Sequence, residues 1–366
     1  MTIRAIELVR ASIDLVTSMR TSYGVNTQRD VLYVHIIGDE AEGWGECVAL
    51  PEPGYTDEYV DGCEAMIRSQ LMPLVSSSTT AEQFIAASAG IPRNYMAKAA
   101  VEMALLDYWL RVENTSLASF LGATQKSVVA GVSIGLYNDI DELLNVVAGF
   151  RAEGYARVKL KIEPGNDIEP VRAVRNAFGD DLMLQVDANS AYSLEDAEHL
   201  AQLDAFNLLL MEQPLAEDDL AGHAELAKKL STPLCLDESI VSLESARTAL
   251  EIGACSIVNI KAGRVGGFLE AKKIHDLCVE RDVPVWCGGM YETGIGRAGA
   301  LALAALPGFT LPSDLSASKK YFHEDVTEPF ELVNGTLTVP NTVGIGVTPK
   351  SDVLKRITVR SEEFRV

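Results

Sequence analysis

Short apolar runs, each closed by one charged side chain, recur through the middle of the chain at nearly constant intervals. Residues 157–161, 182–187, 208–212, 233–237 and 256–261 end on Lys161, Asp187, Glu212, Asp237 and Lys261, with gaps of 26, 25, 25 and 24 residues. The runs are of strand length and rich in Val, Leu and Ile, which predicts strands buried on both faces, and each gap leaves room for one helix. A strand and helix period of this size is that of a (β/α) barrel. Three further runs, 128–133, 283–288 and a weaker 309–314, bring the count to eight, the number that closes such a barrel. Charges have no place inside strands of this kind. At the carboxyl ends they share the barrel mouth, where enzymes of this fold keep their chemistry.

On either side the pattern changes. Residues 3–15 and 31–37 alternate apolar and polar positions as strands do, residues 19–29 read as a loop between them, and 55–74, 80–89 and 95–113 carry apolar residues at helical spacing. Pro92 or Asn94 marks the start of the last helix. The whole predicts an α/β protein in which a TIM-type barrel (126–315) follows an α+β capping domain (1–125). A tail (316–366), with a hairpin signal at Asn334-Gly335, returns to the cap.

Composition narrows the partners. A net charge of −21 disfavours nucleic acid and anionic membranes, which demand clustered Lys and Arg. No apolar run reaches the roughly 20 residues that span a bilayer, and the N-terminus alternates like a strand rather than a signal peptide. The six cysteines show no C-x-x-C spacing, so free thiols in a reducing cytoplasm are expected.

Asp187, Glu212 and Asp237 come from consecutive strands, so their carboxylates are expected to meet. Hard oxygen donors of this kind select Mg²⁺ or Mn²⁺, and clustered carboxylates repel one another unless a cation neutralises them. Lys161 and Lys261 flank the acids, and a nearby dication with partial burial is expected to lower an ammonium pKa toward the roughly 7–8 of a general base. Lys159, on the same face as Lys161, adds positive charge or serves as a structural partner for the acids. The chemistry that needs such parts is removal of a proton α to a carboxylate, giving an enediolate that a metal touching both oxygens would stabilise. Reprotonation from the other face would racemise; loss of a β leaving group would be elimination.

The motifs VKLKI (158–162), VDANSAY (186–192), MEQPL (211–215), CLDESI (235–240), NIKAGRVGG (259–267) and GGMYETGIGRAG (288–299) resemble the enolase superfamily. Within it they are most similar to the o-succinylbenzoate synthase / N-succinylamino acid racemase branch of the muconate-lactonising subgroup. The resemblance extends over nearly the whole chain, through RTSYG (20–24), GWGEC (43–47) and DLSAS (314–318). It implies Asp187, Glu212 and Asp237 as ligands of Mg²⁺, Lys161 and Lys261 as acid/base residues, and Asn189 and Glu238 behind them. Ser133, Gly288, Gly289, Met290, Tyr23, Leu50 and Tyr55 are implied as contacts to a small carboxylate substrate. A Lys or His base with Mg²⁺ is a known pattern of that superfamily. No histidine among His35, His199, His223, His275 and His323 falls at a strand end; all are expected on helices or the surface, which leaves the lysines as bases.

The resemblance implies, first, syn-elimination of water to o-succinylbenzoate, as in menaquinone synthesis. Racemisation of N-acylamino acids or dipeptides on the same residues is the alternative, and a non-catalytic metal-binding barrel the rival from another class. A homo-oligomer is expected, as barrels of this sort often assemble. Two departures stand out. Where the branch carries Lys-Pro-Gly-Arg and Arg-Ala-His-Asn, this chain has Lys261-Ala262-Gly263-Arg264 and Arg297-Ala298-Gly299-Ala300, so substrate selection is expected to differ around residues 297–300. Gly294-x-Gly296-x-x-Gly299 spells a dinucleotide fingerprint, but a first βαβ unit and a ribose-binding acid are missing, so a barrel loop whose glycines admit the substrate is expected.

Overall fold

The computed structural model describes residues 2–21 and 24–366. Strands Ile3–Thr21, Gly24–Gly38 and Glu42–Cys47 form an antiparallel sheet, and the last strand, Thr358–Arg365, adds to its edge beside Ile3–Thr21. The expected loop at 19–29 is therefore mostly strand: Arg20 pairs with Val25 and Thr21 with Gly24. Its polar residues read as a turn, but ladder hydrogen bonds along an exposed hairpin require no apolar pattern.

Helices cover the sheet. Thr80 and Gln83 form a reciprocal cap on helix Ala81–Ser88, and Asn94, at φ 54°, leads into helix Tyr95–Val112. That helix lies directly on strand Glu42–Cys47, because a Cβ on Gly45 would stand 2.0 Å from the carbonyl oxygen of Ala100. The helix expected from residue 55 begins only at Val60 and ends in a π turn (Ile67–Leu71) and a 3₁₀ turn (Met72–Leu74). Pro51, Pro53 and Gly54 hold the preceding segment out of helix, which leaves Tyr55 in a loop over the barrel.

Seven parallel strands, Gly131–Ile134, Arg157–Lys161, Met183–Asp187, Met211–Glu212, Leu234–Leu236, Ile257–Asn259 and Val285–Trp286, run in sequential order around the second layer. The weak eighth run bridges the two edges: Phe309 pairs with Val285 and Ser313 with Ala130. The Asp314 N–H donates to Cys287 O at 2.9 Å and the Gly131 N–H to Ser313 O at 2.7 Å. Pro312 brings no N–H to the ladder, which keeps this segment to isolated bridges. The turn at Asn334 and Gly335 forms as expected, both residues at positive φ. The strand after it, Thr336–Thr338, pairs with Ser127–Val129 rather than with the cap sheet; only the final strand returns there.

Side chains along each barrel strand alternate between the interior and the helices. Leu210, Cys235, Ile257 and Trp286 pack together inside the barrel, and the Lys159 ammonium rests 4.9 Å from the Trp286 ring centroid. Charge begins directly above that apolar plug. Among the described residues no helix is long and apolar enough to cross a membrane.

Candidate active site

Lys159 lies at the centre of the charged layer. Its ammonium donates to Asp187 Oδ2 at 2.9 Å and Glu212 Oε2 at 2.8 Å and stands 2.6 Å from Asp314 Oδ2. Two residues further along the strand, Lys161 reaches the same Asp187 oxygen at 2.6 Å and bonds Asn189 Oδ1. Lys261 bonds instead to Asp237 Oδ2 at 2.7 Å and to the Tyr55 hydroxyl at 2.8 Å, and that hydroxyl donates to Asp237 Oδ2 at 2.9 Å. Arg264 holds the other Asp237 oxygen at 2.8 Å. Asn259 donates to Glu212 Oε1 at 2.7 Å, and Asn189 donates to Glu238 Oε1 at 2.8 Å.

Burial and charge act against each other here. Burial raises the Asp187 pKa, but Lys159 and Lys161 outweigh it and hold the carboxyl well below the usual range. Arg264 and Lys261 overcome burial in the same way at Asp237. Glu212 is pushed up to about 8 by burial and then by the Asp187 charge, and Glu238 to about 7 by burial and then by Asp237. At Lys261 burial lowers the pKa, but the Asp237 and Glu212 charges outweigh it and raise it above the usual lysine value.

The donor set suits a hard dication. Three all-oxygen side chains press on one another's ionisation, and the buried Oε2 of neighbouring Glu238 has no hydrogen-bond partner. Convergence is less complete than the spacing predicts, however. Among the described residues no group of three His, Cys, Asp or Glu side chains is arranged to hold a metal ion; Lys159 and Lys161 bond Asp187, Lys261 bonds Asp237, and Arg264 stands 2.8 Å from Asp237 Oδ1.

A cavity of about 40 Å³ lies at this mouth, lined by Leu50, Tyr55, Ser133, Lys159, Lys161, Asn189, Lys261, Gly289 and Met290, together with Tyr291, Asp314 and Tyr321. The structure thus brings both lysines and most of the expected contacts to one space. Gly288 sits behind it, and a Cβ there would stand 2.4 Å from Lys261 Cε, so this glycine makes room for the lysine. Tyr23 lies outside the described residues. The sequence reading missed Asp314, Asn259 and Tyr321. Asp314 carried a usable signal, since it ends the eighth run as the other acids end theirs.

Residues 297–300 do not line this cavity. They belong to helix Gly294–Ala304, buried between cap and barrel, and Ala300 and Ala262 border a separate void of about 30 Å³ behind Lys261. The glycine fingerprint serves packing rather than substrate entry: a Cβ on Gly299 would meet Phe268 Cζ at 2.5 Å and one on Gly294 would meet Thr327 Oγ1 at 1.7 Å. The helix N-terminus is taken by Glu46, whose Oε1 accepts from Thr293 N at 2.9 Å and whose Oε2 accepts from Gly296 N at 2.8 Å. None of the histidines lines the mouth cavity. His199, His223 and His275 do lie on helices and His323 on the surface; His35, buried in strand Gly24–Gly38, is the exception.

A charged mouth on a (β/α) barrel beneath an α+β cap defines the class. The family described as mandelate racemase / muconate lactonizing enzyme, N-terminal domain, matches residues 5–122, and the enolase C-terminal domain-like family matches residues 142–353. The chain belongs to the enolase superfamily and is an enzyme of its lyase or isomerase kind, which sets aside a merely metal-binding barrel. It is 52% identical over 360 residues, 98% of either chain, to an N-succinylamino acid racemase from an Amycolatopsis species. To an o-succinylbenzoate synthase from Geobacillus kaustophilus it is 45% identical over 360 residues, 96% of this chain and 94% of the other. The crystal structure of an enolase-superfamily member from Listeria innocua matches the whole of both chains with a TM-score of 0.95 at 42% identity. Membership implies a divalent-metal-dependent mechanism.

Proposed function

We propose that this enzyme racemises N-acylamino acids, N-succinyl derivatives in particular, by exchanging the proton α to their carboxylate. The observation that carries this reading is that Lys161 and Lys261 line one cavity while anchored to different carboxylates, Asp187 and Asp237. Racemisation needs a proton-transferring group on each side of the carbon; elimination of water needs one base to start it. Both lysines could serve either reaction, so the lyase reading that the resemblance placed first moves to second place on identity: 52% to an N-succinylamino acid racemase against 45% and below to o-succinylbenzoate synthases.

In this reading Lys161 takes the α-proton from one face and Lys261, held protonated beside Asp237 and Glu212, returns one to the other. Tyr55 fixes the Lys261 ammonium, and Asn189 fixes that of Lys161. Asp187, Glu212 and Asp237 would hold Mg²⁺. When bound, the ion would draw the carboxylate charge away from the lysines and neutralise the enediolate oxygens. Incubating each enantiomer of an N-succinylamino acid in D₂O with Mg²⁺ tests the reading: α-deuterium should enter both and optical rotation should decay. Formation of o-succinylbenzoate by loss of water, without any exchange into N-succinylamino acids, would leave the lyase alone.

A further inference from the structure

Helix Tyr95–Val112 is capped by a residue from another element. Asn94 occupies its N-cap position at φ 54°, but the Asn94 side chain makes no cap bond and donates instead to Pro92 O at 2.8 Å. The N–H groups of the first turn, which no carbonyl within the helix can accept from, go to the carboxylate of Glu58. Met96 N donates to its Oε1 at 3.1 Å and its Oε2 at 3.0 Å, and Ala97 N donates to Oε2 at 3.2 Å. The Cys63 thiol adds a weaker contact to Oε2 at 3.5 Å. A negative charge at a helix start also gains from the aligned backbone dipoles.

Glu58 belongs to the loop over the barrel, three residues beyond Tyr55. The loop is closed at its base, where Val60 N donates to Leu50 O at 2.9 Å. Buried Arg29 holds the chain just before it, through Cys47 O at 3.1 Å and Ala49 O at 2.5 Å. Residues 51–58 form neither helix nor strand, so the tip needs a hold of its own. Asp57 stands 2.9 Å from Arg93, but both side chains are more than half exposed, and water screens such a pair. The half-buried Glu58, bonded to two backbone donors of a long helix, is the firmer tie.

On the inner side of the same loop the Tyr55 hydroxyl stands 2.8 Å from the Lys261 ammonium and 2.9 Å from Asp237 Oδ2, and its ring centroid lies 4.9 Å from that ammonium. A lysine on a flexible four-carbon stem is aimed by the groups that touch it. Lys161 is held by Asp187 and Asn189, both on the barrel. We propose that Glu58 is a positioning residue for Lys261: by capping helix Tyr95–Val112 it fixes the loop where the Tyr55 hydroxyl meets the Lys261 ammonium. The inference rests on the two-lysine chemistry proposed above and adds an asymmetry to it, because the cap aims one lysine and the barrel aims the other.

The test measures α-deuterium exchange into N-succinyl-L-phenylalanine and its D enantiomer with Mg²⁺. Lys261→Ala first identifies the enantiomer whose α-proton faces Lys261. With that enantiomer Glu58→Ala should lose roughly 10- to 100-fold in kcat, the scale of a displaced catalytic group, while the other enantiomer stays within about threefold of wild type. Glu58→Gln, which keeps an acceptor oxygen for the helix, should restore most of the loss. Glu58→Asp, one methylene short of the helix, takes the place of Glu58→Ala should the latter not fold. Adding Tyr55→Phe to the Glu58 variant should cost little more than the larger single loss, because both act on one contact. Equal losses with both enantiomers, no loss, or losses that multiply in the double variant overturn the proposal. Amide hydrogen exchange across residues 50–60 separates it from the reaction. Should wild-type enzyme exchange neither enantiomer, the racemase reading fails, yet faster amide exchange there in the Glu58 variant would support the tie; an unchanged rate would overturn it.

Discussion

Asp187, Glu212 and Asp237 at the barrel mouth and Glu46 and Glu102 where the cap meets the barrel are all buried, at 3% exposure or less, yet they are satisfied by different partners. The mouth acids bond to ammonium and guanidinium groups on side chains. At the junction the partners are largely backbone N–H groups: Glu102 accepts from Phe268 N at 2.7 Å and Leu269 N at 2.9 Å, at the start of helix Phe268–Glu280, as Glu46 does at helix Gly294–Ala304. A side-chain cation can exchange one anion for another or give up a proton. Backbone donors at a helix start can do neither, so they hold two layers in fixed register. The first set is built for chemistry and the second for assembly.

Removing a cation at the mouth should therefore damage turnover far more than folding. Lys161→Ala is expected to lose roughly 10³- to 10⁴-fold in α-deuterium exchange, the scale of a positioned general base. Mn²⁺ affinity, followed by electron paramagnetic resonance, should change little because Asp187 keeps Lys159 as a partner. Substantial residual exchange would show that the mouth cations are as structural as the junction donors.

The mouth was legible in the sequence because a regular period placed each charge at a strand end, where fold geometry alone makes the charges converge. Hence Lys161, Asp187, Glu212, Asp237 and Lys261 could be named as one set before any coordinate. The junction offered no such regularity. Glu102 meets its donors 166 and 167 positions away, and Glu46 meets Thr293 at a separation of 247. Neither acid differs in local pattern from a solvated one. Glycines 294, 296 and 299 were visible, but their meaning depended on Phe268, Thr327 and Glu46 arriving from elsewhere in the chain.

At the junction the balance of effects should reverse. Glu102→Ala leaves two buried N–H groups unpaired and opens a void, which should cost about 3–5 kcal/mol in urea unfolding. In the protein that remains folded, kcat should stay within about threefold of wild type, because no atom of Glu102 lines the catalytic cavity. A large fall in kcat with unchanged stability would break the division between the two sets.

The smallest effect is a pH dependence that separates the sets without disrupting either. Burial pushes Glu102 from 4.5 up to about 7, against the Leu269 and Phe268 N–H groups that favour its ionised form. The folded protein thus keeps a proton that the unfolded chain has released. Stability from this group is largest below about 4.5, falls as pH rises toward about 7, and is fully lost above that value. Glutamine mimics the protonated carboxyl and cannot titrate. Glu102→Gln and wild type should therefore differ least near pH 5 and most near pH 7 to 8, the gap between them widening by on the order of 2 kcal/mol across that interval. Parallel stability curves from pH 5 to 8 would mean that Glu102 is ionised throughout, held by its two backbone donors as firmly as Asp187 is held by its lysines.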